Sequence, residues 1–298
     1  MPEQPRNWLR IKQHLRSMQC QLTTSQTANN IPGRSCCKCM DNPVREIDLD
    51  TLEISNEGAI RVVTLNRPDT LNALNGQMAE ELTATFKTAA SDDSVTVIVL
   101  TGKGKAFWAG ADLKEPPEIR SQWFGEMVEA AIDLPQPLLI AVNGVGVGIG
   151  ATICGLADAV YMAASARLRC PFSALGLTAE AASTFTFPQL LGRQRASWLL
   201  LASEWMTAEE CVAVGLALEV VPDDDLLEYV MAQAGKLAAL PLASLKQTKS
   251  LIVDPIREQL KLAVKAENAA LADMRGKAAN VEALSAFRAK RAPDFTGL

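Results

Sequence analysis

The chain has 298 residues, 48% of them hydrophobic, with 29 Lys and Arg against 34 Asp and Glu and a single histidine, His14. This is enough chain for one large domain with a sizeable core, and it is too apolar for a disordered protein. A net charge of −5 gives a nucleic-acid backbone no basic field, and any Ser-His-Asp triad, Cys-His pair or His-rich metal site would have to draw on one residue near the N-terminus.

Residues 1–40 carry six Lys or Arg and one acid, a local charge of +5 that leaves −10 for the rest. They also hold Cys20, Cys36, Cys37 and Cys39, four of the seven cysteines. With no sustained apolar period, residues 1–45 read as a tail outside the fold. His14 with these cysteines is a zinc alternative, although the spacing lacks the paired C-x2-C arrangement. The acid-poor start resembles an organellar transit peptide, mitochondrial or peroxisomal in a eukaryotic source. A bacterial source implies the cytoplasm, and Met40 could equally be the initiator.

Residues 50–66 alternate into two strands around Asn56-Glu57-Gly58, a hairpin signal. Met78, Leu82 and Phe86 recur four apart and predict a helix over 76–90. Residues 95–100 form a continuous β-branched run, as in a strand covered on both faces. Residues 138–142 predict a second such strand, 150–157 a short helix and 159–162 a third strand. Residues 134–157 carry no charge, but Pro135, Pro137, Asn143 and five glycines interrupt them, which suits buried elements and not a lipid span. After Thr207 the chain reads as helical almost to its end. The pattern predicts an α/β fold with parallel strands, a core over 46–205 and a helical region over 206–298. Cys154, Cys170 and Cys211 lie in apolar stretches and suggest a reducing compartment.

Two Gly-containing turns follow buried strands, one over 102–113 and one over 143–152. Glycine lets the main chain approach a ligand, and the first N–H groups of a helix lack internal partners, so two such turns could aim two backbone donors at one oxygen. The second turn contains Gly146-x-Gly148-x-x-Ala151, a loose dinucleotide fingerprint. It lies mid-chain with no acid about 20 residues on, which counts against a nicotinamide enzyme. Between Asp158 and Glu204 the only acid is Glu180, among Ala, Phe, Leu and Ser. It is either a solvated residue at a helix start or a base in a dry pocket. Burial would raise its pKa and a helix starting at Thr178 would lower it.

Three motifs in order carry a family resemblance: Asn66-Arg67-Pro68-Asp69-Thr70-Leu71-Asn72-Ala73-Leu74, Ala109-Gly110-Ala111-Asp112-Leu113-Lys114, and Asn143-Gly144 with its following glycines. Residues from about 50 to 298 resemble the crotonase, or enoyl-CoA hydratase/isomerase, superfamily. The resemblance implies a spiral of ββα units, a C-terminal helical trimerisation region, a homotrimer or hexamer, and an acyl-CoA thioester as substrate. It implies no membrane partner, no metal and no cofactor beyond the coenzyme A of the substrate. It places an oxyanion hole on the N–H groups of Ala111 and Ile149. Substrate contacts fall on Ala73, Leu74, Trp108, Ala109, Gly110, Gly148 and Phe172, and on Phe287 and Lys290 near the end. Trp108 stands where small residues are usual, so its bulk is expected to reshape the acyl pocket. Asp112 is expected to be structural.

Hydratases of this superfamily use two glutamates, and the matching positions here are Thr152 and Phe172. Residues 176–188 are similar to the 3-enoyl-CoA to 2-enoyl-CoA isomerases of the peroxisomal and bacterial branch, whose catalytic glutamate falls on Glu180. Dienoyl-CoA isomerases pair such an acid with another where Phe172 stands. The resemblance therefore implies an isomerase with a single-glutamate proton shuttle. The alternatives are hydration or another acyl-CoA reaction through a base not identified in the sequence, and a catalytically silent binding module of the same fold.

Overall fold

A computed structural model of the chain describes residues 49–116, 119 and 123–298. The tail expected over 1–45, with its zinc alternative, lies outside the described residues. The fold begins as predicted with an antiparallel pair, β1 (Leu52–Glu57) and β2 (Ile60–Leu65), with Leu52 opposite Leu65. Helix α1 (Gly76–Ala90) follows, capped by the Asn75 side chain, which accepts the Met78 N–H at 2.9 Å.

A repeat then sets in. The strand β3 (Val97–Gly102) is followed by the short β4 (Ala106–Trp108) and helix α2 (Phe124–Ile132). Next come β5 (Leu138–Val142), β6 (Val145–Val147) and α3 (Ile149–Thr152), which continues as a 3-10 turn. The third round is β7 (Ala159–Ala163), β8 (Arg167–Arg169) and the helices α4 (Ser183–Leu191) and α5 (Arg193–Ala202). The first strand of each round joins a six-stranded sheet ordered β1-β2-β3-β5-β7-β10, where β10 is Glu219–Val221, and the second joins a four-stranded sheet ordered β4-β6-β8-β9, where β9 is Trp205–Thr207. Within both sheets successive rounds pair in parallel. This is the expected α/β spiral of ββα units. The inner strands β3 and β5 are buried along their whole length, which is why their sequences are unbroken apolar runs.

The last stretch departs from expectation. β9 (Trp205–Thr207) pairs with β8 across the boundary expected at 205/206. After α6 (Ala208–Val214), β10 (Glu219–Val221) joins the large sheet beside β7. Strands of three residues are too short to show a period, so this region read as helix throughout. The helices α7 (Leu226–Ala238), α8 (Leu242–Met274) and α9 (Ala278–Arg288) complete the chain. Among the described residues, no helix is long and apolar enough to cross a membrane.

Buried polar side chains tie the rounds together. Glu81 on α1, 1% exposed, accepts the N–H groups of Asp50 and Thr51 and the Thr51 hydroxyl. Lys249 on α8 donates to Asp158 at 2.6 Å and to the Gln136 carbonyl at 2.9 Å, and burial pulls its pKa down against the pull of Asp158. Asn72 is fully buried with φ +58°. Its amide donates to the carbonyls of Lys103, Ala106 and Phe107, and its carbonyl accepts the Arg67 N–H at 2.9 Å. Asn143 closes the same turn from the next round, accepting from Gly102 N–H and donating to the Gly104 carbonyl. Replacing Asn72 by Ala strands these carbonyls and leaves a non-glycine residue in the left-handed region without its local bonds. Urea unfolding of Asn72→Ala is expected to show a loss of about 2–4 kcal/mol.

Candidate active site

The small sheet places two backbone donors. After β4, Ala109 N–H reaches the Leu71 carbonyl at 3.0 Å, Leu74 N–H reaches the Gly110 carbonyl at 2.7 Å and Asp112 N–H reaches the Leu74 carbonyl at 2.8 Å. This is a parallel bridge between Leu74 and Ala111. In such a bridge the residues on either side make the bonds, and the middle one presents its own N–H to the opposite side. Ala111 N–H therefore turns away from Leu74, and it has no acceptor among the described residues. After the neighbouring β6, Gly148 (φ +55°, ψ −117°) turns the chain into α3, whose first N–H, that of Ile149, is likewise unclaimed. The two turns touch because a Cβ on Gly150 would lie 2.2 Å from the Trp108 carbonyl oxygen, so only glycine fits there.

A cleft of about 490 Å³ opens against this wall, and Ala109, Gly110, Ala111, Gly148, Phe172 and Glu180 line it. Glu180 is half-buried in the loop before α4. A Cβ placed on Gly148 would lie 3.2 Å from Glu180 Oε1 and 3.9 Å from Gly110 Cα, so the carboxylate rests against the bare α-carbon between the two turns. Its charge also helps burial push the neighbouring Cys170 thiol up. The helix expected to start at Thr178 starts at Ser183, so Glu180 is outside its first turn. Phe172, 5% exposed, forms an apolar wall. Thr152 is fully buried, with its hydroxyl donating to the Gly148 carbonyl at 3.2 Å.

Several sequence-predicted residues lie elsewhere. Trp108 is 1% exposed and packs edge-on against Phe107 in the core, because β4 is covered on both faces and gives its bulk room away from the cleft. Leu74 and Ala73 are scaffold: Leu74 makes the bridge, while Arg67 bonds the Ala73 carbonyl and pairs with Asp112 at 2.9 Å. Although burial pushes the Asp112 carboxyl up, that pairing and the Lys114 N–H hold it below its usual value. Ile149 is 1% exposed and stands outside the lining, directly after Gly148, so its unclaimed N–H is its one candidate contact. Phe287 lines the cleft, whereas Lys290 stands outside its lining with φ +53° just beyond α9.

Among the described residues, the cationic side chains in the lining are instead Arg169, Arg275 and Arg291, and Glu180 is the one acid. Arg169 Nε donates to the Ser203 carbonyl at 2.6 Å, and the guanidinium groups of Arg167 and Arg169 lie 4.3 and 5.5 Å from the Trp205 ring centroid. Arg167-Leu168-Arg169 is too short to show a strand period, so nothing in the sequence ties Arg169 to the cleft. Nothing local marks Arg275, whereas Arg291 directly follows the expected contact Lys290; both come from the α8–α9 end. Among the described residues, no cluster of His, Cys, Asp and Glu could hold a metal.

Residues 55–298 match the family model for enoyl-CoA hydratase/isomerase. The chain is 36% identical to enoyl-CoA delta isomerase 2 of Homo sapiens over 222 residues, 71% of this chain and 56% of that protein, so it spans about half the length of that relative. It is 34% identical to 1,2-epoxyphenylacetyl-CoA isomerase of Escherichia coli K12 over 81% of this chain and 96% of the relative. The crystal structure of an enoyl-CoA hydratase/isomerase from Pseudoalteromonas atlantica T6c superposes with a TM-score of 0.77 at 33% identity, covering 82% of this chain and 99% of that one.

The wall depends on Gly148 lacking a side chain. Gly148→Ala should lose about 1–3 kcal/mol in thermal or urea unfolding, from the backbone conformation alone. A crystal structure of the variant should show the Glu180 carboxylate displaced from its place.

Proposed function

The chain belongs to the enoyl-CoA hydratase/isomerase family, and on that footing we propose that it moves the double bond of a 3-enoyl-CoA to the 2-position. Glu180 takes a proton from C2, the N–H groups of Ala111 and Ile149 hold the thioester enolate oxygen, and the same carboxyl returns the proton at C4. The observation that carries this reading is Glu180 as the single acid among the described residues of the cleft lining, set against the two unclaimed donors. Hydration in this family needs a second carboxylate, and the positions that would supply one hold a buried Thr152 hydroxyl turned to backbone and the Phe172 ring. Each donor is worth roughly 2.7–4 kcal/mol at an oxyanion, and base catalysis adds about 10²–10⁴-fold. The shuttle calls on no cofactor beyond the coenzyme A of the substrate. Arg275 and Arg291 suit the phosphates of coenzyme A, and Phe172 and Phe287 suit apolar parts of the thioester.

We propose also that the chain works as a trimer or a pair of trimers. The exposed Leu251, Ile252 and Leu262 on α8, 63–70% accessible in the single chain, support that reading.

Turnover of 3-hexenoyl-CoA tests the reaction. Glu180→Gln should bind the thioester as the parent does and isomerise it at least about 100-fold more slowly. A variant that keeps more than half the parent rate would remove Glu180 from the mechanism. With matched substrates, hydration of 2-hexenoyl-CoA by the parent enzyme should be far slower than isomerisation, and comparable rates would make the protein a hydratase.

A further inference from the structure

The turn that presents Glu180 is held in an unusual way. Helix α4 begins after Ala182, which has no oxygen to cap it, and both Ala181 and Ala182 sit at φ +58°. An L-residue in that region is disfavoured because its Cβ crowds the following carbonyl. The missing cap comes from far along the chain. Glu267 on α8, 4% exposed, accepts the Ala182 N–H at 2.7 Å through Oε2. Through Oε1 it accepts the Thr184 N–H at 2.9 Å and the Thr184 hydroxyl at 2.6 Å. The other end of the turn is closed locally, by the Ser183 N–H and hydroxyl on the Glu180 carbonyl.

We infer that Glu267 is a positioning residue for Glu180, fixing the strained alanine pair so that the Glu180 carboxylate stays against Gly148. The inference rests on the reading of Glu180 as the proton carrier. Burial raises the Glu267 pKa despite its hydrogen bonds, so the carboxylate is kept at this place against a desolvation cost. Its three donors all lie within four residues of Glu180, which puts its effect on the reacting group ahead of its effect on the fold.

Kinetics with 3-hexenoyl-CoA test this. The isosteric Glu267→Gln puts an N–H donor where an acceptor stood, and it should lower kcat by about 10–100-fold with KM within about twofold, as expected for a misplaced base. Adding Ala182→Gly should restore most of the lost kcat, since glycine adopts φ +58° without help. Lys249→Met removes the other buried ionic anchor of α8, and it should lower the melting temperature while leaving kcat unchanged. If Glu267→Gln does not fold, Thr184→Val removes one of the three donors and should lower kcat several-fold.

Unchanged kcat in Glu267→Gln, or an equal loss in Lys249→Met, would overturn the inference and leave Glu267 a fold anchor. If Glu180→Gln is inactive while Glu267→Gln is fully active, the isomerase reading stands and this inference fails. If the parent does not isomerise, a crystal structure of Glu267→Gln decides the point: Glu180 leaves Gly148 if the inference is right and stays if it is wrong.

Discussion

The cleft depends on one backbone bridge. Leu74 uses both its N–H and its carbonyl on the segment after β4, and that choice turns the Ala111 N–H outward. A donor without an internal partner is costly when buried, so a fold keeps one where solvent or a ligand can reach it. The bridge also explains the motif that precedes it. Residues 66–74 supply little to the cleft lining but hold Leu74 in register, through Asn72 under the turn and Arg67 on the Ala73 carbonyl and Asp112. The sequence feature that best identifies the family is therefore scaffold for a donor that lies 37 to 45 residues further on.

The fold joins its rounds with polar groups as well as apolar packing. Asn72, Asn143, Glu81, Glu267 and Lys249 each reach backbone of a segment distant in sequence. Turns between strands carry main-chain groups with no ladder to join, and one side chain with several donors or acceptors satisfies them together. Apolar side chains could fill the same volume but would leave those groups unpaired. Chain geometry that must be accurate at the cleft is thus tied at its turns.

The elements that sequence reading located were those with long patterns. Residues 95–100 showed as a β-branched run, and β3 sits two residues later because its register on β2 pairs Ile60 with Val97 and Leu65 with Gly102. The strands of the small sheet were not legible, since three residues hold no period, although the two turns with unclaimed N–H groups both follow strands of that sheet. Glu180 was legible as a lone acid in an apolar stretch. The turn that seats it was not, because its cap stands on α8 and nothing near Ala181 or Ala182 announces a left-handed pair. Trp108 was misplaced because a bulky residue next to a glycine turn looks like a wall of the pocket, and only the covered far face of β4 shows where the ring goes. Arg275 could not be tied to the cleft without knowing where α8 ends and how α9 folds back, and in the segment 287–291 it is Arg291, one residue past the expected Lys290, that reaches the lining.

The large sheet has its strands in the order in which they are made, β1-β2-β3-β5-β7-β10. A ribosome can therefore add each new strand to an existing edge, and no strand waits for a partner still to be synthesised beyond the next round. The exception is the turn around Glu180. Its cap follows 83 to 85 residues later, so the turn is capped only after α8 has emerged. A nascent chain can thus form its sheet and the two glycine turns well before the Glu180 turn is capped, and that turn is the last of these parts to come under control.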